Sequence, residues 1–221
     1  MIKNLIFDLG GVIITLAPEQ AVARFKEIGL KDAEQRLDSY TQAGIFGDLE
    51  LGKITDEEFQ QQISMLAGKE ISYEECRYAW LGYCREVPQR NLDALLRLRS
   101  EGIRVLLISN TNPFMMSWVM SPEFDGQGHS LSYYMDACYM SYKMGVMKPS
   151  EEFFLRVLEA EQIQPEETLF VDDGQRNVEA AVKLGMHTLC PINGEDWTKD
   201  VFGIIHAQAS SPAGRAEALK D

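Results

Sequence analysis

Residues 3–11 read KNLIFDLGG: an apolar run, the carboxylate Asp8, then Leu9 and the pair Gly10-Gly11. A short, wholly apolar run bounded by turn residues is how a strand buried on both faces reads. The continuation VIITL runs on to Pro18. The same grammar recurs downstream. IRVLLISN (103–110), MDACYMSY (135–142), TLFVDDG (168–174) and HTLC (187–190) are apolar runs, most of them ending in polar or acidic residues. Between them stand amphipathic segments: NLDALLRLRSEG (91–102), SEEFFLRVLEAEQ (150–162) and NVEAAVKLG (177–185). Alternation of this kind implies right-handed crossovers and a parallel sheet covered by helices on both faces, that is, an α/β doubly wound fold.

Between Pro18 and Pro88 the texture changes. EQAVARFKEIGL, KDAEQRLDSYTQ, TDEEFQQQISMLA and SYEECRYAWLGYC space their apolar residues at helical intervals, and Thr55 with Glu58 forms a capping box for the third. No strand is expected there. The expected organisation is an α/β core of residues 1–16 and 89–205, an all-helical domain inserted at 17–88, and a loosely ordered tail at 206–221, poor in large apolar side chains.

Composition narrows the function. Acidic residues outnumber basic ones by 34 to 21, for a formal net charge of −13. That balance argues against nucleic acid or an anionic membrane as the partner, since both reward a basic surface. A small anionic substrate remains compatible, because one lysine, a divalent cation and inward-pointing amides make a locally positive pocket. Cys76, Cys84, Cys138 and Cys190 show no close pairing of the zinc or redox kind and are expected to be free thiols. The amino terminus carries neither a signal nor a span, so a cytoplasmic location is expected. His129, His187 and His206 lack metal-ligand spacing, and Met115, Met116, Met120 and Trp118 read as packing.

Ligands of open parallel sheets bind at the carboxyl ends of the strands. Those ends carry Asp8, the cluster Ser109-Asn110-Thr111-Asn112, and Asp172-Asp173, with Lys148 in the loop before the helix that leads into the last pair. Such a set has a chemical meaning. A carboxylate can attack phosphorus if a cation offsets the repulsion, and a hard cation such as Mg2+ prefers carboxylate oxygen. Lys148 can neutralise nucleophile and phosphate together, while Ser109 and nearby amides bind phosphoryl oxygens. Two adjacent carboxylates at a strand end repel each other unless a cation separates them.

FDLGGV, LLISNTN, the lysine of MGVMKPSEEFF and FVDDGQRNVEAA resemble, in order and spacing, the four motifs of haloacid dehalogenase-like phosphatases. The insert is similar to that family's cap domain, and QAGIFGDLELGKITDEEF looks typical of such caps. The resemblance covers nearly the whole chain apart from the tail. It implies a Rossmann-like core and a magnesium-dependent phosphatase of a small phosphorylated metabolite, such as a sugar phosphate. Asp8 would be the nucleophile, with Lys148 beside it; Ser109, Asn110, Gly11 and Lys148 would bind the phosphate. Asp8, the Gly10 carbonyl and Asp173 would hold the metal, with Asp172 a ligand through water or an orienting group.

One departure stands out. Phosphatases of this family usually carry a second aspartate two residues after the nucleophile, as acid and base; here that place is Gly10. Such help is commonly worth about 10²–10⁴-fold in rate. Three outcomes stay open: a substrate with a good leaving group, an acid supplied from the GDLELGK region of the cap, or a protein that binds phosphate compounds without turnover. A halide-releasing hydrolase is a further alternative, since such relatives also lack the second aspartate. They need no magnesium, however, and that would leave the 172–173 pair unexplained.

Overall fold

The computed structural model describes residues 1–37 and 44–209. In chain order the elements are β1 (Asn4–Phe7), β2 (Thr15–Leu16), α1 (Pro18–Glu27), α2 (Ala33–Arg36), α3 (Ile45–Glu50), α4 (Asp56–Ala67), α5 (Tyr73–Trp80), β3 (Cys84–Glu86) and α6 (Gln89–Ser100). There follow β4 (Arg104–Ser109), α7 (Pro113–Val119), β5 (Ala137–Met140), α8 (Ser141–Met144), α9 (Glu151–Glu161), β6 (Thr168–Val171), α10 (Gln175–Lys183), β7 (His187–Leu189) and α11 (Thr198–Ala209).

The main sheet has five strands in the order β5-β4-β1-β6-β7, all parallel. The chain winds outward from β1 through β4 to β5, then returns to the other side of β1 for β6 and β7. The order therefore reverses between β1 and β6, and Asp8 and Asp172 directly follow those strands. Pleating explains why these strands read as continuous apolar runs. Leu5, Phe7, Val105, Leu107, Leu169 and Val171 enter the core on one face. Ile6, Leu106, Ile108 and Phe170 enter the other, against Phe153, Phe154 and Val157 of α9 and Ala180 and Ala181 of α10.

The helical insert is built on rings. Phe25, Phe46, Phe59 and Trp80, one from each of α1, α3, α4 and α5, pack with centroids 5.2–5.9 Å apart, many of them edge to face. Phe59 also meets Phe114 of α7 at 5.6 Å, so the insert and the sheet domain share one continuous apolar core. The capping box at Thr55 and Glu58 is present, with a second at Ser72 and Glu75.

Two expectations need correction. A strand does occur before Pro88: β3 pairs antiparallel with β2, forming a small ribbon where the chain leaves and re-enters the sheet domain. Strands this short show no alternation, and their pairing spans the whole insert, so no local signal announces them. The tail, expected from residue 206, is helical as far as Ala209. Trp197, Val201 and Ile205 are buried at intervals of four residues and seat α11 on the core. Residues 210–221 lie outside the described part, as does 38–43, the end of the predicted helix KDAEQRLDSYTQ. The four cysteines are free thiols, as expected.

Candidate active site

Asp8 follows β1, its backbone N–H donating to the Val171 carbonyl at 2.9 Å. Its Oδ1 accepts from the Leu9 N–H at 2.7 Å and lies 2.8 Å from the Lys148 ammonium. Among the described residues Oδ2 accepts no hydrogen bond. Beyond Asp8 the chain doubles back: the Ile13 and Ile14 N–H groups donate to the Leu9 carbonyl at 3.0 and 2.9 Å. Two buried groups hold this turn. The Asn91 amide donates to the carbonyls of Val12 (2.9 Å) and Ile13 (3.1 Å), and the Trp197 indole donates to Val12 at 2.8 Å. Sequence reading missed both, although an asparagine beside the apolar stripe Leu92, Leu95, Leu98 was a usable signal.

The two glycines after Asp8 serve different ends. Gly11 has φ +76°, and a Cβ there would overlap the Asp173 carboxylate, so only glycine lets that acid approach the turn. At Gly10 a Cβ would lie 3.1 Å from Cδ1 of Leu16. Leu16 is itself fixed by Asn193, whose amide accepts from the Leu16 N–H (2.9 Å) and donates to its carbonyl (3.1 Å). Those bonds hold the Leu16 backbone; the end of its side chain would need to give by only a few tenths of an ångström to admit a Cβ on residue 10.

Lys148 is 4% exposed and bridges two carboxylates, Asp8 at 2.8 Å and Asp172 at 2.6 Å. Asn110 positions it: its amide oxygen accepts from the Lys148 N–H and its amide nitrogen donates to the Lys148 carbonyl, each at 2.9 Å. The Asn110 side chain is thereby committed to the lysine loop. Asp172 is wholly buried and similarly engaged: Oδ1 accepts from the Gly174 N–H (2.8 Å) and the Asn177 amide (2.9 Å), Oδ2 from Lys148. Both Asp172 oxygens are thus engaged within the protein. Asp173 is more open and faces the cavity.

Ser109 ends β4 and is buried, its hydroxyl making only a long 3.4 Å contact to the Asn110 carbonyl. Asn112 caps α7 by accepting from the Met115 N–H at 3.1 Å. Its amide nitrogen is buried without a partner at hydrogen-bonding geometry, though it is near enough to Glu50 to favour that acid's ionised form.

A cavity of about 290 Å3 is lined by Asp8, Gly10, Glu50, Lys148, Asp173 and Asn193, among others. A small adjoining space of about 90 Å3 includes Ser109 and Asn112, and a cleft of about 500 Å3 runs toward Met147, Pro149 and Arg176. Glu50 and Asn110 border all three. Of the acids in GDLELGK, Asp48 pairs at the surface with Lys53 at 3.3 Å, whereas Glu50 turns inward. Glu50 is partly exposed and lines the cavity. Burial, and then the charge of Asp8, push its carboxyl up to about 8 against the opposing pull of Asn112.

Asp8, Asp172 and Asp173 bring oxygens within 4.8 Å of one another, and Lys148 supplies one positive charge among them. Burial pushes Asp8 up to about 7, against Lys148 and helped by Asp172 and Asp173. Burial likewise carries Asp173 to about 6, with Asp172 adding to it. Burial opposes the Lys148 charge, but Asp172 and Asp8 outweigh it and hold the ammonium above its ordinary range. The excess negative charge, the all-oxygen donors and the niche that Gly11 leaves beside Asp173 fit a hard divalent cation such as magnesium. A pH dependence follows. With chelator, these raised carboxyls contribute stability that is full below about pH 4 and is lost as pH rises through about 6 to 7. A cation must displace their protons, so its benefit grows over that window. The rise in melting temperature on adding Mg2+ should be larger at pH 8 than at pH 5.5. Equal shifts would place the cation elsewhere.

The model of the haloacid dehalogenase-like hydrolase family matches residues 2–185. The D-ribitol-5-phosphate phosphatase of Bacteroides thetaiotaomicron is 46% identical over 207 residues, 94% of this chain and 100% of that protein. Among solved structures, a predicted HAD-like family hydrolase from Porphyromonas gingivalis is 42% identical with a TM-score of 0.88, covering 93% of this chain and 98% of that one. A HAD family enzyme from Bacteroides thetaiotaomicron, in complex with magnesium and inorganic phosphate, is 38% identical with a TM-score of 0.81, covering 90% and 98%.

Proposed function

The chain belongs to the haloacid dehalogenase-like hydrolase family, and from that premise we propose that it is a magnesium-dependent phosphatase acting on a phosphorylated sugar alcohol. The observation that carries this reading is the convergence of Asp8, Lys148, Asp173 and Ser109 around adjoining cavities at the carboxyl edge of the sheet, where strand order reverses. The kinship with a D-ribitol-5-phosphate phosphatase over nearly the whole chain supports the choice of substrate. Asn177 lines the main cavity, and its amide oxygen suits a hydroxyl of a polyol.

In this reading Oδ2 of Asp8 attacks phosphorus, forming an aspartyl phosphate, while Lys148 holds Asp8 in place through Oδ1. Ser109, Gly11 and Lys148 would take phosphoryl oxygens. Asp8, the Gly10 carbonyl and Asp173 would hold Mg2+, which when bound offsets the charge of phosphate and carboxylates. Asp172 keeps Lys148 and the 174–177 turn in register.

The test is phosphate release from ribitol 5-phosphate, other polyol and sugar phosphates and an aryl phosphate, with magnesium or with chelator. Release should require magnesium and be fastest for the sugar-alcohol phosphates. A protein that releases nothing, yet is stabilised by magnesium and phosphate, would be a binding protein. Chelator-resistant halide release from a haloacid would make it a dehalogenase.

A further inference from the structure

We propose that Glu50, the last residue of α3 in the helical insert, is the acid–base catalyst of this site, a part that no side chain at position 10 fills. The proposal rests on the phosphatase reading above and supplies what that reading lacks. A sugar-alcohol phosphate leaves as an alkoxide, a poor leaving group that needs a proton as the P–O bond breaks.

Three observations place Glu50 in that part. Gly10, two residues after Asp8, brings no acid to the cavity it lines. Glu50 borders the same two cavities as Gly10 and Leu16, and also the cleft that leads away from Lys148. The carboxylates on these walls, among the described residues, are Asp8, Asp173 and Glu50. With Asp8 as nucleophile and Asp173 a candidate metal ligand, Glu50 alone is uncommitted.

Its placement is also rigid. Phe46 and Leu49, earlier in α3, are fully buried, Phe46 within the ring cluster. Just after it, Gly52 has φ +68°, and a Cβ there would overlap the Tyr142 carbonyl of α8. The insert thus presses directly on the sheet domain beside Glu50.

The step balances. Asp8 forms a bond to phosphorus, the ester P–O bond breaks, and the departing oxygen takes the Glu50 proton and leaves as the alcohol. Glu50, now a carboxylate, takes a proton from water as that water attacks the aspartyl phosphate. Asp8 departs, phosphate is released, and Glu50 is protonated again.

Leaving-group chemistry tests this directly. Single-turnover rates of phosphoenzyme formation would be measured for unaltered protein and Glu50→Gln, with ribitol 5-phosphate and with 4-nitrophenyl phosphate. The alkyl rate should fall about 10²–10⁴-fold. The aryl rate should fall less than about tenfold, giving a nitrophenol burst before slow turnover, because nitrophenolate leaves without a proton. Equal losses on both substrates, or a change confined to KM, would make Glu50 a substrate-binding group and overturn the proposal. In Glu50→Ala, added acetate should restore alkyl turnover, so the question survives a Gln variant that folds poorly; failure of that rescue in a folded protein would also count against Glu50. If the unaltered protein releases no phosphate, the phosphatase reading fails, and this proposal with it.

Discussion

Asp8→Asn should lower phosphate release on the order of 10⁵-fold or more, the scale on which removing a catalytic nucleophile acts in other enzymes. An amide oxygen is a poor nucleophile toward phosphorus, and no second carboxylate stands ready to replace Asp8. Asp173 would be drawn to the cation, Asp172 has both oxygens engaged, and Glu50 is on the insert. The fold should survive. Asparagine matches aspartate in shape, its Oδ1 can still accept from Leu9 and Lys148, and losing one of three crowded negative charges relieves repulsion. Magnesium and phosphate should therefore still raise the melting temperature of the variant while turnover is gone. Retention of more than about a tenth of the activity would remove Asp8 from the centre of the mechanism and redirect attention to a directly attacking water.

The sheet and its catalytic edge were legible because burial on both faces writes each strand as an apolar run, and the residue that ends the run stands at the ligand-binding edge. Asp8, Ser109, Asp172 and Asp173 stand at such ends, whereas Lys148 lies in a loop before a helix, and its place among the motifs is what marks it. The remaining parts were hidden for physical reasons. The β2–β3 ribbon is too short to show a period and closes over the whole insert. Asn91 and Trp197 matter through hydrogen bonds to a turn far off in sequence, which periodicity does not record. GDLELGK was recognisable as a source of acid, but choosing Glu50 over Asp48 depends on how α3 is rotated against α8. Asn110, expected to contact substrate, borders the cavities, and its side chain also clasps Lys148, a pairing that only the folded loop reveals.

That clasp matters because Lys148 carries a large share of the site's electrostatic balance. Lys148→Met keeps the unbranched stem and nearly the same volume, so packing changes little. The ammonium disappears, and Asp8 and Asp172, respectively 14% and 0% exposed at their side chains, lose their common cation. Breaking a buried ion pair from one side costs about 3–5 kcal/mol, because it strands a charge in a poorly solvated place. That loss should appear as a lower urea midpoint at pH 8 in the presence of chelator. It should shrink as the pH falls, since a carboxylate without its cation can take up a proton, and it should shrink also when magnesium is added. Asp172→Asn in the same chain should recover part of the deficit, giving a coupling energy that neither single variant shows. A Lys148→Met protein as stable as the parent at pH 8 would mean that the carboxylates do not depend on the lysine for compensation. In that case the clasp by Asn110 would position a phosphate-binding group and nothing more, and the loss would be confined to turnover.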